Sequence, residues 1–286
     1  MFPETTETLP MVICQIALFL IFGAGLTIGL VLAFRLQLDR KRGLQPLAAL
    51  GTLQARPFRF AHALPIVALT GLFAFLHVLQ PSGEETHVEP IALVWGSGIV
   101  AVLNLLVIAS CTVLAGKRPR VVFGSPSCPW YTAIGKGLVY GVAVIPVVSL
   151  VSLVVEAVAS ALDLTLDAQD VFNCLSDPAV PASIRAALIF FALVVAPITE
   201  ELMFRGILLP VLAKGRHFIF AALLSSLLFA LIHLHGPSFL TLMLLSVFFS
   251  LGYAATGSIL TPIVMHMIFN ITGLLFFFAS VSPGNA

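Results

Sequence analysis

Charged residues are scarce in this sequence of 286 residues: Asp, Glu, Lys and Arg together make up 9% of it, whereas a soluble domain carries about a quarter. Hydrophobic residues account for 59%, and mean hydropathy is +1.10. Such a composition excludes a soluble globule, cytosolic or secreted. The four cysteines, Cys14, Cys111, Cys128 and Cys174, fall in different segments and never recur at C-x-x-C spacing. That removes both a disulfide framework and a zinc ribbon. Internal repeats and low-complexity tracts are missing too, and no nucleic-acid partner is expected; the net charge of +1 says little until the charges are mapped along the chain.

What is present is a series of long apolar runs. About 20 apolar residues in a helix span a bilayer core, and eight such runs are predicted, from Met11 to Phe34, Phe60 to Leu79, Ile91 to Val113, Gly135 to Leu162, Ile184 to Arg205, Phe218 to His235, Phe239 to Ala255 and Ile259 to Val281. The expected fold is all-α and integral to the membrane, with about eight transmembrane helices. Acidic residues and no basic n-region precede the first run, so it is expected to remain a helix rather than to act as a signal peptide. Gly25 with Gly29, and Gly137 with Gly141, recur four apart within runs, a spacing that lets helices approach closely. Trp95 and Trp130 fall near predicted run ends, where aromatic rings favour the interface.

The loops alternate in charge. Arg35, Arg40, Lys41, Arg42, Arg56 and Arg59 separate the first two runs, Lys117, Arg118, Arg120 and Lys136 surround the third loop, and Lys214 and Arg216 follow the fifth run. Between them lie acidic loops with Glu84, Glu85 and Glu89, and with Asp163, Asp167, Asp170 and Asp177, while Glu4 and Glu7 lead the chain. Basic loops stay cytoplasmic, which gives a multi-pass protein of the cell membrane with both termini outside and only Arg185 on the wrong side. The basic stretch Arg35 to Arg59 fixes that orientation and is also suited to anionic lipid.

Ionisable residues are nearly absent from the first three runs and recur in the later ones, so function is expected in the C-terminal half. A charge in hydrocarbon is costly and is usually paired or used. The fifth run ends in PITEELMFRG. Residues four apart share a helix face, so Glu201 and Arg205 can pair, while Glu200 points about 100° away from Glu201 and is left to face something else. The sixth run carries Phe229 and His233 four apart, and the eighth carries His266 and Asn270. If the three helices pack together, a carboxylate, two imidazoles and a carboxamide converge in a dry pocket within the C-terminal bundle. Such a set suits acyl-group hydrolysis: the carboxylate takes a proton from water, and fixed donors stabilise the oxyanion.

The spacing of these three edges resembles the type II CAAX prenyl endopeptidase family, also called the CPBP or ABI family. Its motifs appear in order as Glu200, Glu201 and Arg205 followed by Gly206, then Phe229 and His233, then His266 and Asn270. Each is weak alone in a chain with 23 phenylalanines, but together they are specific, and the resemblance covers roughly Gly135 to Ala279. The runs before it read as an N-terminal three-helix membrane region over 1–130 with basic cytoplasmic loops, which adds nothing to the resemblance, and the resemblance implies a CPBP-like protease domain over 131–286. It also implies a glutamic-type intramembrane protease with no metal or other cofactor. In that reading Glu200 activates the water, assisted by His233, His266 and Asn270 form the oxyanion hole, and Glu201, Arg205 and Phe229 support the site. The substrate would be a membrane-anchored peptide or protein in the lipid bilayer, prenylated at a C-terminal CAAX segment in the eukaryotic and archaeal-type relatives.

Other readings compete. A non-catalytic membrane scaffold or bacteriocin self-immunity protein would use the same residues to hold helices together, and a transporter would relay protons through them, although no paired broken-helix halves are evident. One carboxylate and two histidines suit a three-ligand zinc site, but the H-E-x-x-H signature and a pair of Glu-x-x-His motifs are both absent. His62, His77, His87, His217 and His235 are expected near span ends or in loops, and Glu156 near the interface rather than in the site. Measured along ideal helices, Glu200 lies about 24 Å from the outer end of its run and His233 about 22 Å from the inner end of its own, depths that disagree. A kink at Pro197, or a stretch from Gly206 to Gly215 that either lies on the interface or continues the helix, would change that register. The entrance is expected on the cytoplasmic side.

Overall fold

The computed structural model describes residues 8–42, 47, 49–78, 89–125, 128–164 and 170–280. The expected acidic positions Glu4, Glu7, Glu84, Glu85 and Asp167, and His87, lie outside the described residues, as do the side chains of His77 and Asp170. The described residues form helices joined by turns: α1 (Thr8–Lys41), α2 (Leu50–Gln54), α3 (Phe60–Val78), α4 (Pro90–Leu114), α5 (Pro119–Phe123), α6 (Trp130–Ala161) and α7 (Asp170–Ser176). They continue with α8 (Ala182–Ala213), α9 (Phe218–Leu231), α10 (Phe239–Thr256) and α11 (Leu260–Ser280). The chain is an all-α, multi-pass integral membrane protein.

Apolar helices lie where the eight runs were expected, and among the described residues six are long and apolar enough to cross a membrane: those containing Pro10–Asp39, Pro90–Leu114, Trp130–Ala161, Ala182–Ala213, Gly236–Thr256 and Leu260–Ser280. The apolar stretch Phe60–Phe73 and α9 are shorter. At 14 residues, α9 is about 21 Å long. It stops where Leu234 adopts a left-handed conformation, φ 51°, just before Gly236 and Pro237.

The fifth run does not end at Arg205. It continues to Ala213 as α8 and widens twice into π-helical turns, at Phe191–Val195 and Leu202–Leu208. Each widened turn lies just before a proline, Pro197 or Pro210. Proline has no N–H and its ring crowds the carbonyl four residues back; the wider turn absorbs both defects without breaking the helix. This extension also removes the disagreement in depth. Counted from the end of the bundle at which α8 finishes and α9 begins, Glu200 and His233 both lie about 20 Å deep.

Close packing uses the glycines expected to allow it. A Cβ on Gly25 of α1 would meet the Val142 carbonyl and Pro146 of α6, one on Gly137 would come within 2.7 Å of Val264 on α11, and one on Gly141 within 3.2 Å of Met265. So α6 packs against both α1 and α11, which also meet each other where Phe22 contacts Phe276, and α10 lies beside α6. A buried apolar cluster joins Leu53, Phe58, Ile66 and Cys111 to Phe204, Ile207, Phe229 and Ile263, drawing on helices before and after residue 130. The basic end is tied together by buried Arg56, whose guanidinium donates to the carbonyls of Val121 at 2.6 Å, Gly124 at 2.7 Å and Gly257 at 2.8 Å. Gln54 donates to Ala213 O at 3.2 Å, and Lys214 donates to Phe58 O. His62, expected to reach water, is instead buried, with Nδ1 accepting from the Arg59 N–H at 3.0 Å.

Candidate active site

The α8 helix puts Glu200 and Glu201 on different faces, as their one-residue offset requires. Glu201 and Arg205 are fully buried, and the guanidinium donates to Glu201 Oε1 at 2.9 Å. A second guanidinium nitrogen donates to the carbonyl of Ser246 at 2.9 Å and to its hydroxyl at 2.5 Å. The cation also sits over the rings of Phe229 at 4.7 Å and Phe249 at 5.1 Å. A buried ion pair is kept when its geometry is good and further hydrogen bonds offset desolvation; these contacts supply several, while Glu201 Oε2 and Arg205 Nε stay without a hydrogen-bond partner among the described residues.

Glu201 Oε1 has a second partner, His266 Nδ1, at 3.0 Å. A carboxylate already held by Arg205 accepts, so Nδ1 carries the proton and Nε2 is turned toward Glu200. The ring stacks on Phe249, centroids 5.1 Å apart and planes 29° from parallel. On α9's C-terminal turn, His233 is fixed in the same way: its Nδ1 lies 2.8 Å from the Phe229 carbonyl, an acceptor, which leaves Nε2 facing inward. Phe229 lies 4.8 Å from the His233 ring and 5.8 Å from that of His266. It is the apolar wall on which both imidazoles rest.

The two Nε2 atoms approach the same oxygen. Glu200 Oε2 is 3.9 Å from His233 Nε2 and 4.0 Å from His266 Nε2, and it is buried without a hydrogen-bond partner among the described residues. These gaps exceed direct hydrogen bonds and suit a small molecule held by all three groups. Among the described residues, no group of three His, Cys, Asp or Glu side chains is arranged to hold a metal ion.

Asn270, one turn beyond His266 on α11, donates through Nδ2 to the carbonyl of Ala192 at 2.7 Å. That carbonyl is available because of the first π-turn. The N–H of Ala196 reaches back five residues to Phe191 O, and Pro197, next in line, has no N–H for Ala192 O.

Glu200, His233, His266 and Asn270 line one cavity of about 730 Å³, together with apolar side chains of α6, α7, α8 and α11. Its lining comes from the ends of the helices remote from the basic loops, so the expected entrance from the basic, cytoplasmic side is corrected: the cavity lies toward the acidic end. Glu156, expected outside the site, is part of the lining, and so are His235 and Ser238, whose side chains meet at 2.7 Å. Sequence reasoning missed Ser246 and Phe249 on α10. The one trace of them was a pair of serines, Ser246 and Ser250, four apart in an otherwise apolar run.

Comparison with known proteins agrees with the motif resemblance. Residues 182–272 match the family model described as type II CAAX prenyl endopeptidase Rce1-like. The chain is 34% identical over 83 residues to YdiL of Bacillus subtilis (strain 168), provisionally named a membrane peptidase, a match covering 29% of this chain and 34% of YdiL. It is 36% identical over 107 residues to an uncharacterized 24.3 kDa protein of Escherichia coli, covering 35% of this chain and 48% of that one. It is also 35% identical over 101 residues to the membrane-embedded CAAX protease MroQ of Staphylococcus aureus (strain USA300), covering 33% of this chain and 40% of MroQ. The chain thus spans about a third to a half of the length of the curated relatives it matches, and no solved structure matches it. The segment that matches the Rce1-like type II CAAX prenyl endopeptidase model, 182–272, is the one that carries Glu200, Glu201, Arg205, Phe229, His233, His266 and Asn270.

Proposed function

We propose that this protein is an intramembrane endopeptidase that hydrolyses a peptide bond of a membrane-anchored substrate with a glutamate-activated water and no metal. The observation that carries the proposal is the convergence of Glu200 Oε2 with the Nε2 atoms of His233 and His266, at 3.9 and 4.0 Å, on the wall of a large cavity. A water between them donates one proton to Glu200 while His233 Nε2 accepts its other O–H and orients it. The hydroxide adds to the scissile carbonyl carbon. The oxyanion takes a hydrogen bond from the second N–H of Asn270 and one from His266 Nε2 in its protonated form, which Glu201 stabilises through Nδ1. Collapse breaks the C–N bond, and Glu200 returns its proton to the leaving amine.

An unpaired buried carboxylate oxygen is expensive to keep, and Glu200 Oε2, unlike Glu201 Oε2, faces two imidazoles on the wall of a cavity that a substrate can enter. With its basic loops cytoplasmic, the protein would open the cavity toward the outer side of the cell membrane. The deciding experiment reconstitutes the protein in liposomes with a library of lipid-anchored peptides, prenylated CAAX segments included, and follows cleavage by mass spectrometry in wild type, Glu200→Gln and His266→Ala. Loss of cleavage in both folded variants supports the protease. Undiminished cleavage by Glu200→Gln removes Glu200 from the mechanism.

A further inference from the structure

Away from the cavity, the basic end of the molecule carries charge that the chain does not balance. No Asp or Glu occurs between Asp39 and Glu84, or between Glu89 and Glu156, so the loops before α3 and after α4 bring cations and no carboxylate. The Arg56 guanidinium is occupied by carbonyls, and in meeting Val121 and Gly124 it draws these two loops together. Phe58 does the same, its ring 6.2 Å from that of Phe123. Arg59, Lys117 and Arg118 remain exposed around this joint, and among the described residues their side chains have no ion pair or hydrogen bond.

Beneath these cations α3 and α4 run side by side in opposite directions. Cys111 Sγ donates to His62 O at 3.4 Å and pins the two helices together near their basic ends. Beyond the pin they leave an apolar groove of about 360 Å³ between Pro65, Ala68 and Leu72 of α3 and Leu103, Leu106 and Ser110 of α4. Pockets that hold small molecules measure about 300–1,000 Å³. The small side chains of Ala68 and Ser110 open the groove, and Leu72 and Leu106 are about half exposed along it. Pro65 and Ser110 lie five and four residues from the helix ends Phe60 and Leu114, about 8 and 6 Å along the axes. Headgroups occupy about 5–8 Å of each leaflet outside the hydrocarbon. The groove therefore begins where hydrocarbon begins, and the three cations stand at headgroup level above it. Behind the groove, Ile66 and Ile108 pack with Phe204 and Ile207 of the second widened turn of α8, which carries Arg205.

We propose that this groove and its cations bind one anionic phospholipid, with an acyl chain lying between α3 and α4 and the headgroup phosphate meeting Arg59, Lys117 and Arg118. A Lys or Arg near a membrane surface favours anionic lipid by about fivefold in binding. In a bilayer the chain gains packing rather than release from water, so the groove supplies fit and the cations supply the headgroup preference. A lipid seated there clamps α3 to α4 over the turn of α8 that holds Arg205, and its binding stabilises the folded protein by mass action.

The test titrates the full-length protein, delipidated in detergent, with phosphatidylglycerol, phosphatidylcholine or glycerol 3-phosphate. Native mass spectrometry reads the bound lipid and thermal unfolding reads the stabilisation. One phosphatidylglycerol should bind about tenfold more tightly than phosphatidylcholine, and Tm should rise with its concentration. Glycerol 3-phosphate, which has no chain, should do neither. Arg59→Gln, Lys117→Gln and Arg118→Gln combined should reduce the preference to about threefold or less, whereas the same change at Arg35, Lys41 and Arg42 of the α1 end should leave it intact. Ala68→Phe, or Ser110→Phe on the facing wall, fills the groove from an exposed position and should weaken both lipids about tenfold with their ratio kept. Equal binding of the two lipids to wild type overturns the proposal, as does a preference that survives loss of the three cations or disappears with those of α1. Undiminished binding in both groove-filling variants, or glycerol 3-phosphate stabilising as well as the lipid, also overturns it. None of these residues belongs to the candidate active site, so the outcome is independent of peptide cleavage.

Discussion

Asn270 reaches across from α11 to hold the carbonyl of Ala192, at 2.7 Å, which Pro197 leaves without a backbone donor. A sequence feature that looks like a helix defect thus becomes the anchor of a carboxamide in the candidate site. One N–H of Asn270 is committed to the anchor and the other is free to be aimed.

Replacing Pro197 with Ala restores an N–H that competes for Ala192 O. The fold should keep its stability to within about 1 kcal/mol, because the substitution suits a helix. Turnover should fall about 10- to 100-fold, since an oxyanion donor would lose its aim. Thermal unfolding beside kcat and KM on a responsive peptide measures both, and unchanged kcat would show that the anchor does not matter to catalysis.

Arg205→Met leaves Glu201 buried with its main partner gone. Breaking a buried pair from one side costs about 3–5 kcal/mol, whereas neutralising both partners costs less. The double variant Arg205→Met with Glu201→Gln should therefore unfold at a higher temperature than Arg205→Met alone. A double-mutant cycle by thermal denaturation in detergent reads the coupling, and additive effects would refute it.

A Cβ at Gly206 would lie 2.7 Å from the ring of Phe123. Gly206→Ala should destabilise by about 1–3 kcal/mol through overpacking, and Phe123→Leu in the same chain should recover part of the loss. Tm of wild type and the two variants decides; a Gly206→Ala protein as stable as wild type would mean that α5 yields freely.

If Glu200 itself takes the proton from water, divalent-metal removal leaves the rate intact. Peptide cleavage after exhaustive treatment with a chelator should match that of untreated protein, and loss restored by zinc would replace the glutamate mechanism with a metal one.

Much of the site was legible in the chain because membrane helices make spacing informative. Four-residue intervals set Glu201 beside Arg205, Phe229 beside His233 and His266 beside Asn270 on shared faces, and the high cost of charge in hydrocarbon marked Glu200 as unusual. The reach of α8 was not legible. Pro197 read as a kink, and the stretch from Gly206 to Gly215 as either interfacial or a continuation of the helix; π-turns carry the helix past both prolines to Ala213. Ser246 and Phe249 escaped notice because serine and phenylalanine are ordinary in an apolar run, and their meaning depends on facing Arg205 and His266.

The sequence by itself determined that this is a helical membrane protein, which residues are the candidates for its chemistry and which of them share a helix face, since hydropathy, charge and helical period are local properties. Only the tertiary structure decided that Glu201 and not Glu200 holds His266, that both imidazoles present Nε2 to Glu200, and that the cavity lies toward the acidic end with Glu156 in its wall. Those relationships join helices far apart in the chain, and their geometry follows from packing and from where a proline leaves a carbonyl unclaimed.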